Sequence, residues 1–120
     1  MTVHMRATSG KEEGINKVLL NKTETITKLT ILGEKDTDSV TFEFLTEDFF
    51  SHLKILLRTH NRVDLPILND EGSKTDEMFI EYKYKNDVTY YSDMINFSYL
   101  GFAFQVNVDD VKVLVEELYR

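Results

Sequence analysis

Val40-Thr-Phe-Glu-Phe-Leu45 and Thr46-Glu-Asp-Phe-Phe-Ser-His-Leu-Lys-Ile-Leu-Leu-Arg-Thr-His60 decide the fold class, because the hydrophobic period changes where the two stretches meet. In the first, Val40, Phe42 and Phe44 alternate with Thr41, Glu43 and Leu45, the two-residue period of a strand with one buried face. In the second, Phe49, Leu53, Leu56, Leu57 and His60 fall on one side at about 100° per residue. Phe50 flanks that stripe, and Lys54 and Arg58 lie opposite. Thr46 reads as the N-cap, and Glu47 and Asp48 place negative charge in the first turn, where the macrodipole favours it. His60-Asn61 reads as the stop.

Upstream, Ile26–Leu32 is rich in β-branched residues and is expected to form a hairpin with Val40–Leu45 across the turn Gly33–Ser39. Lys17–Leu20 reads as a shorter preceding strand. Residues 1–14 are polar, bounded by Gly10 and Gly14 and without a sustained period, and are expected to be a flexible arm. Downstream, Val63–Leu68 contains the only proline, Pro66, which has no amide hydrogen to donate, so a strand there is expected at an edge or broken. Met78, Ile80, Tyr82 and Tyr84 alternate with Phe79, Glu81, Lys83 and Lys85, followed by a turn signal at Asn86-Asp87 and a return strand at Val88–Tyr91. Met94–Tyr99 follows, and then Leu100, Phe102, Phe104 and Val106 alternate, with Gly101 read as a bulge or a close backbone approach. Asn107 caps a last helix whose stripe is Val108, Val111, Leu114, Val115, Leu118 and Tyr119.

The expected architecture is α+β: an antiparallel sheet of about five to six strands with two helices, in the order ββαβββα, packed on one face. At 120 residues the chain fits the usual single-domain size of about 100–150 residues, so 15–120 is expected to be one domain behind the arm. The 42% of hydrophobic residues and fourteen Phe and Tyr exclude a wholly disordered chain. There is no cysteine, which rules out disulfides and thiolate metal sites and suits a reducing compartment, so a cytoplasmic location is expected. No apolar run approaches the length of a membrane-spanning helix. The Lys, Asn, Ile and Thr usage is of the kind seen in low-GC bacteria and their phages.

The net charge is −7, and two segments carry more than all of it: residues 34–48 sum to −5 and residues 64–77 to −4. Such a chain repels a nucleic-acid backbone and an anionic membrane, and attracts a basic protein surface. Motifs for chemistry are scarce. His52 and His60 are eight residues apart, not the three or four a helical metal pair needs, and no metal or cofactor is expected. Asp36-Thr-Asp38-Ser opens like a calcium loop but lacks its glycine and its closing glutamate, and reads as a solvated turn. No serine sits in a nucleophile elbow, and the five scattered glycines make no phosphate-cradling loop, so no catalytic residue is assigned.

The leading expectation is therefore a non-enzymatic, acidic protein-binding module, of the inhibitor, immunity or antitoxin kind, that engages a basic partner surface. The expected contact residues are Glu34, Asp36, Asp38, Glu43, Asp48, Asp70 and Glu71, together with Phe79, which alternation places among charged residues on the face away from the helices. Phe79 could equally be covered by the N-terminal arm. A second reading is a small-ligand protein or enzyme with a pocket between the sheet and helix 46–60, drawing on His52, His60 and the tyrosines. A third is self-association, as a homodimer or accessory assembly, through strand edges near 63–68 or 100–106.

Overall fold

The structure, a computed structural model, describes residues 2–9, 15–32, 39–86 and 90–118. They form β1 (Thr2–Ser9), β2 (Ile15–Lys22), β3 (Ile26–Leu32), β4 (Ser39–Leu45), α1 (Thr46–Thr59), β5 (Val63–Leu68), β6 (Lys74–Lys83), β7 (Met94–Tyr99), β8 (Phe102–Asn107) and α2 (Val108–Leu118). The class is α+β, as expected, and the sheet is antiparallel throughout. Its strands follow chain order from β1 to β8, and β8 returns to β1, so the sheet closes into a barrel.

Alternation makes the barrel interior. Leu20, Leu29 and Phe42 lie opposite one another across β2, β3 and β4, and Ile80, Phe97 and Phe104 do the same across β6, β7 and β8. All six are buried. Val18, Ile31, Phe44, Leu65, Met78, Ile95 and Val106 extend the same set. An eight-stranded barrel is just wide enough for such side chains to fill it.

Both helices leave the barrel at the same end, after β4 and after β8. Phe49, Phe50, Leu53 and Leu56 of α1 and Val108, Val111, Leu114 and Val115 of α2 join the interior residues in one buried cluster, so the helices close that end. α1 packs against β5 and touches β3, β4 and β6; α2 packs on β8 and α1. The opposite end carries the links between β5 and β6 and between β7 and β8, and the strand ends Ser9, Ile15, Leu32 and Ser39.

Several expectations need correction. Among the described residues there are eight strands rather than five or six, in the order ββββαββββα. Thr2–Ser9, expected within a flexible arm, is β1 and pairs with both β2 and β8; residues 10–14 lie outside the described residues. Backbone pairing needs no particular side chain, and β1 is held by β2, the next strand along the chain, and by β8, which it meets only through closure. The strand expected at Lys17–Leu20 spans Ile15–Lys22. β6 pairs with β7, where Val88–Tyr91 was expected as its partner, and this sets Ile80 opposite Phe97 and Tyr82 opposite Ile95; residues 87–89 lie outside the described residues. Thr46 is not the N-cap: that position is Leu45, without a side-chain cap bond, and Thr46 is the first helical residue. Its amide donates to the Thr25 carbonyl and its hydroxyl to the Thr23 carbonyl, both at 2.9 Å, while accepting from the buried Thr27 hydroxyl, also at 2.9 Å. Gly101 is neither a bulge nor a close approach: nothing lies within 4 Å of where its Cβ would stand, and its φ of +82° places it in a turn.

Other readings match. His60 ends α1 in the left-handed region, φ 57°, its amide donating to the Leu56 carbonyl at 2.8 Å. Asn107 caps α2 by accepting from the Asp109 amide at 2.8 Å. Pro66 lies in β5, which is not an edge, since it pairs with β6 and meets β4 at Glu43 opposite Leu68, but its register with β6 is broken between Ile67 and Leu68. The open edge expected for self-association through 100–106 is not found along its whole length, since β8 pairs with β7 from Phe102 to Asn107 and with β1 at Phe104–Val106. No helix among the described residues is long and apolar enough to cross a membrane.

Candidate functional site

The chemistry-bearing side chains separate to the two ends of the barrel. At the end where β7 also turns into β8, β5 and β6 are joined by Asn69-Asp-Glu-Gly-Ser73, and the next residue, Lys74, reaches Asp48 in the first turn of α1 at 3.3 Å. The Asn69 side-chain oxygen accepts from the Glu71 and Ser73 amides, each at 2.9 Å. Its backbone exchanges bonds of 2.9 Å with Gly72 and Ser73, and Gly72 takes the positive φ of 79° that the turn requires. Asp70 and Glu71 are thus exposed on a turn fixed by four hydrogen bonds, and neither forms an ion pair among the described residues.

Nearby, the Tyr99 hydroxyl donates to Asp76, which raises the phenol's pKa, and the two tie the end of β7 to the start of β6. The Phe42 ring meets Tyr99 edge-on at 5.6 Å and lies 6.4 Å from Phe102, so aromatic rings fill the mouth of the barrel below the turns. Between Tyr99 and Phe102, which lie opposite each other, Leu100 and Gly101 turn the chain with φ of 46° and 82°. Leu100 is 86% exposed.

The other expected contact residues are distributed differently. Glu34, Asp36 and Asp38 lie outside the described residues. Glu43 pairs with Lys28 at 3.4 Å, and Asp48 with Lys74 at 3.3 Å. Phe79 is on the outer face, 38% exposed, with the Arg62 guanidinium 3.8 Å above its ring. β1 pairs with β2 and β8 and not with β6, so it does not cover Phe79. Of the expected set, only Asp70 and Glu71 stand together as exposed carboxylates without an ion pair among the described residues.

The helix end holds a cluster that the sequence touched only in part. The His60 ring stacks on Tyr82 with centroids 3.7 Å apart, and His60 Nδ1 shares a 2.9 Å hydrogen bond with the Tyr84 hydroxyl. The Tyr82 hydroxyl donates to Asp93 Oδ2 at 2.6 Å, and the Lys85 amide donates to Oδ1 at 2.7 Å. Burial and the bond to Asp93 push the Tyr82 phenol up to about 12, and the Tyr82 hydroxyl and Lys85 amide hold the Asp93 carboxyl below its usual value. The Asp93 carbonyl also accepts from the Val108 amide at 3.0 Å. The cluster therefore fastens the end of α1, the end of β6 and the start of α2 to the segment before β7. His52 is not part of it; its Nδ1 donates to the Asp48 carbonyl at 2.6 Å on its own helix.

Asp93 and Asp76 were not expected as site residues, and Leu100, expected to open the alternating strand, is instead a turn residue before β8. Leu100 had a readable signal: two residues ending in glycine, between the alternating sets Ile95, Phe97, Tyr99 and Phe102, Phe104, Val106, mark a two-residue hairpin. Asp93 and Asp76 had none, because each bond joins residues that only folding brings together. Among the described residues no three His, Asp or Glu side chains converge as a metal site. In comparisons with protein-family models, curated proteins and solved structures, none matches the chain.

Proposed function

We propose that this chain is a protein-binding module, not a catalyst, and that the barrel end carrying the β5–β6 and β7–β8 turns presents fixed carboxylates to a partner with a basic surface. The observation that carries the reading is the turn Asn69–Ser73, where four hydrogen bonds hold Asp70 and Glu71 outward. A preordered turn loses little conformational freedom on binding, so more of the electrostatic attraction is expressed as association. Asp76 and Glu77 follow on β6 and add to the same field. The net charge of −7 and the cysteine-free sequence suit a cytoplasmic partner protein better than nucleic acid or an anionic membrane. An inhibitor or immunity-type role, in which a small rigid acidic domain occludes a basic working surface, is the form of this reading we favour.

The test is affinity capture from a lysate of the source cells at two salt concentrations, followed by association kinetics with the protein retained. Charge reversal at both positions, Asp70→Lys with Glu71→Lys, is expected to slow association about tenfold and to flatten its salt dependence. An unchanged association rate in that variant, with its circular dichroism and melting temperature intact, sinks the electrostatic reading.

The helix end supports a second reading, a ligand site built on His60, Tyr82 and Tyr84. What favours it is the stacked His60–Tyr82 pair beside the exposed Tyr84. A small molecule that perturbs the His60 and Tyr84 ring resonances, and loses its effect in Tyr84→Phe, would bring this reading to the front.

A further inference from the structure

We infer that Leu100 is the apolar anchor of the acidic end, inserting into a socket on the partner protein that is lined by apolar side chains and ringed by Lys and Arg. The inference rests on the binding reading above and names what the partner must offer. Leu100 and Gly101 are the two central residues of a tight hairpin turn, both with positive φ. That turn favours Asn-Gly, because asparagine and glycine tolerate the left-handed region, whereas a leucine Cβ is crowded there. Gly101 meets the requirement and Leu100 does not. Burial does not account for the leucine either, since it is 86% exposed. A strained, solvent-exposed apolar residue is a feature that neither the local backbone nor the core explains, and contact with another molecule is the remaining physical use for it.

Its base is rigid. Tyr99 and Phe102 flank the turn as a cross-strand pair, Phe42 packs against Tyr99, and the Tyr99 hydroxyl is held by Asp76. The surroundings choose the partner. Asp70, Glu71, Asp76 and Glu77 belong to this end of the barrel, so an anionic lipid surface is repelled. The same end of a second copy carries the same carboxylates and is repelled likewise. A hydrophobic knob beside acidic turns is complementary to an apolar pocket with a basic rim.

The experiment has two parts. Photo-leucine placed at position 100 of the full chain is irradiated in a lysate of the source cells, and the cross-linked peptide is identified. The expected product is a partner peptide with apolar residues flanked by Lys or Arg, suppressed by unlabelled wild-type chain at a concentration about tenfold or more below the one at which Leu100→Asn suppresses it. Cross-linking only to a second copy of this chain, to lipid or to nothing overturns the proposal. In the second part, Leu100→Asn and Leu100→Met are compared. Leu100→Asn is expected to raise the melting temperature by relieving the turn, while the complex dissociates at least ~10-fold faster, the effect of losing a hot-spot side chain. Leu100→Met is expected to dissociate within about threefold of wild type, since it keeps an apolar body of similar size. A lower melting temperature in Leu100→Asn would show that the leucine serves the fold, and the proposal would fall. Failure of the two ideas can be told apart. Slow association on reversing Asp70 and Glu71, with Leu100→Asn still dissociating as wild type, removes the anchor and keeps the acidic reading. Normal association with fast dissociation in Leu100→Asn does the reverse.

Discussion

At the scale of single residues, two polar groups fix the junctions between barrel and helices. Thr46 is 3% exposed and bonded to Thr23, Thr25 and Thr27. Thr46→Val keeps the shape but leaves the buried Thr27 hydroxyl without its acceptor, at a cost of about 1–3 kcal/mol. Urea denaturation should therefore show a lower midpoint with an unchanged m-value. Tyr82 and Asp93 make stability depend on pH at both extremes. The folded phenol titrates near 12 against an ordinary 10, so its contribution is complete below pH 10 and fades as pH rises toward 12. The Asp93 carboxyl is lowered in the folded chain, so its contribution is present above the ordinary carboxyl value and fades as pH falls through the folded one. Melting temperature measured across pH should fall less steeply at the alkaline end in Tyr82→Phe than in wild type, and less steeply at the acid end in Asp93→Asn. Parallel pH profiles for variants and wild type would count against this account.

At the scale of elements, the acidic turn is the clearest case of one side chain organising a segment. Asn69 accepts two amides that would otherwise be left to water. Asn69→Ala should cost about 1 kcal/mol per bond lost at most and should speed hydrogen exchange at the Glu71 and Ser73 amides, with little effect on β2 or β3. α1 shows how a helix depends on its setting. Its apolar stripe was legible because Phe49, Leu53 and Leu56 recur at helical spacing, and all three are buried. Its start was not, because Thr46 looks like a cap until its hydroxyl is seen bonded across the β2–β3 turn instead of to its own helix. The return strand after β6 was misplaced for a similar reason. Val88–Tyr91 and Met94–Tyr99 both have strand composition, and only the cross-strand match of Ile80 with Phe97 and Tyr82 with Ile95 selects the second.

At the scale of the whole molecule, the barrel is closed by two unequal seams. β1 meets β8 at Ala7, Thr8 and Ser9, while β4 meets β5 only at Glu43 opposite Leu68. Deleting residues 1–9 should leave β2 and β8 with open edges, lower the melting temperature on the order of 10 °C or more and promote association seen by light scattering. A dispensable arm would leave both measurements unchanged. The two helices, the strands β3, β4 and β6, the α+β class and the acidic character follow from the sequence alone, because periodicity and charge are properties of neighbouring residues. Closure, the place of β1, the company of His60, Tyr82 and Asp93, and the end of the barrel that carries Asp70, Glu71 and Leu100 were decided only by tertiary structure. Ala7 and Val106 are neighbours through backbone hydrogen bonds, which any side chain permits, so no local pattern marks the pairing and the twist and stagger of the whole sheet select it.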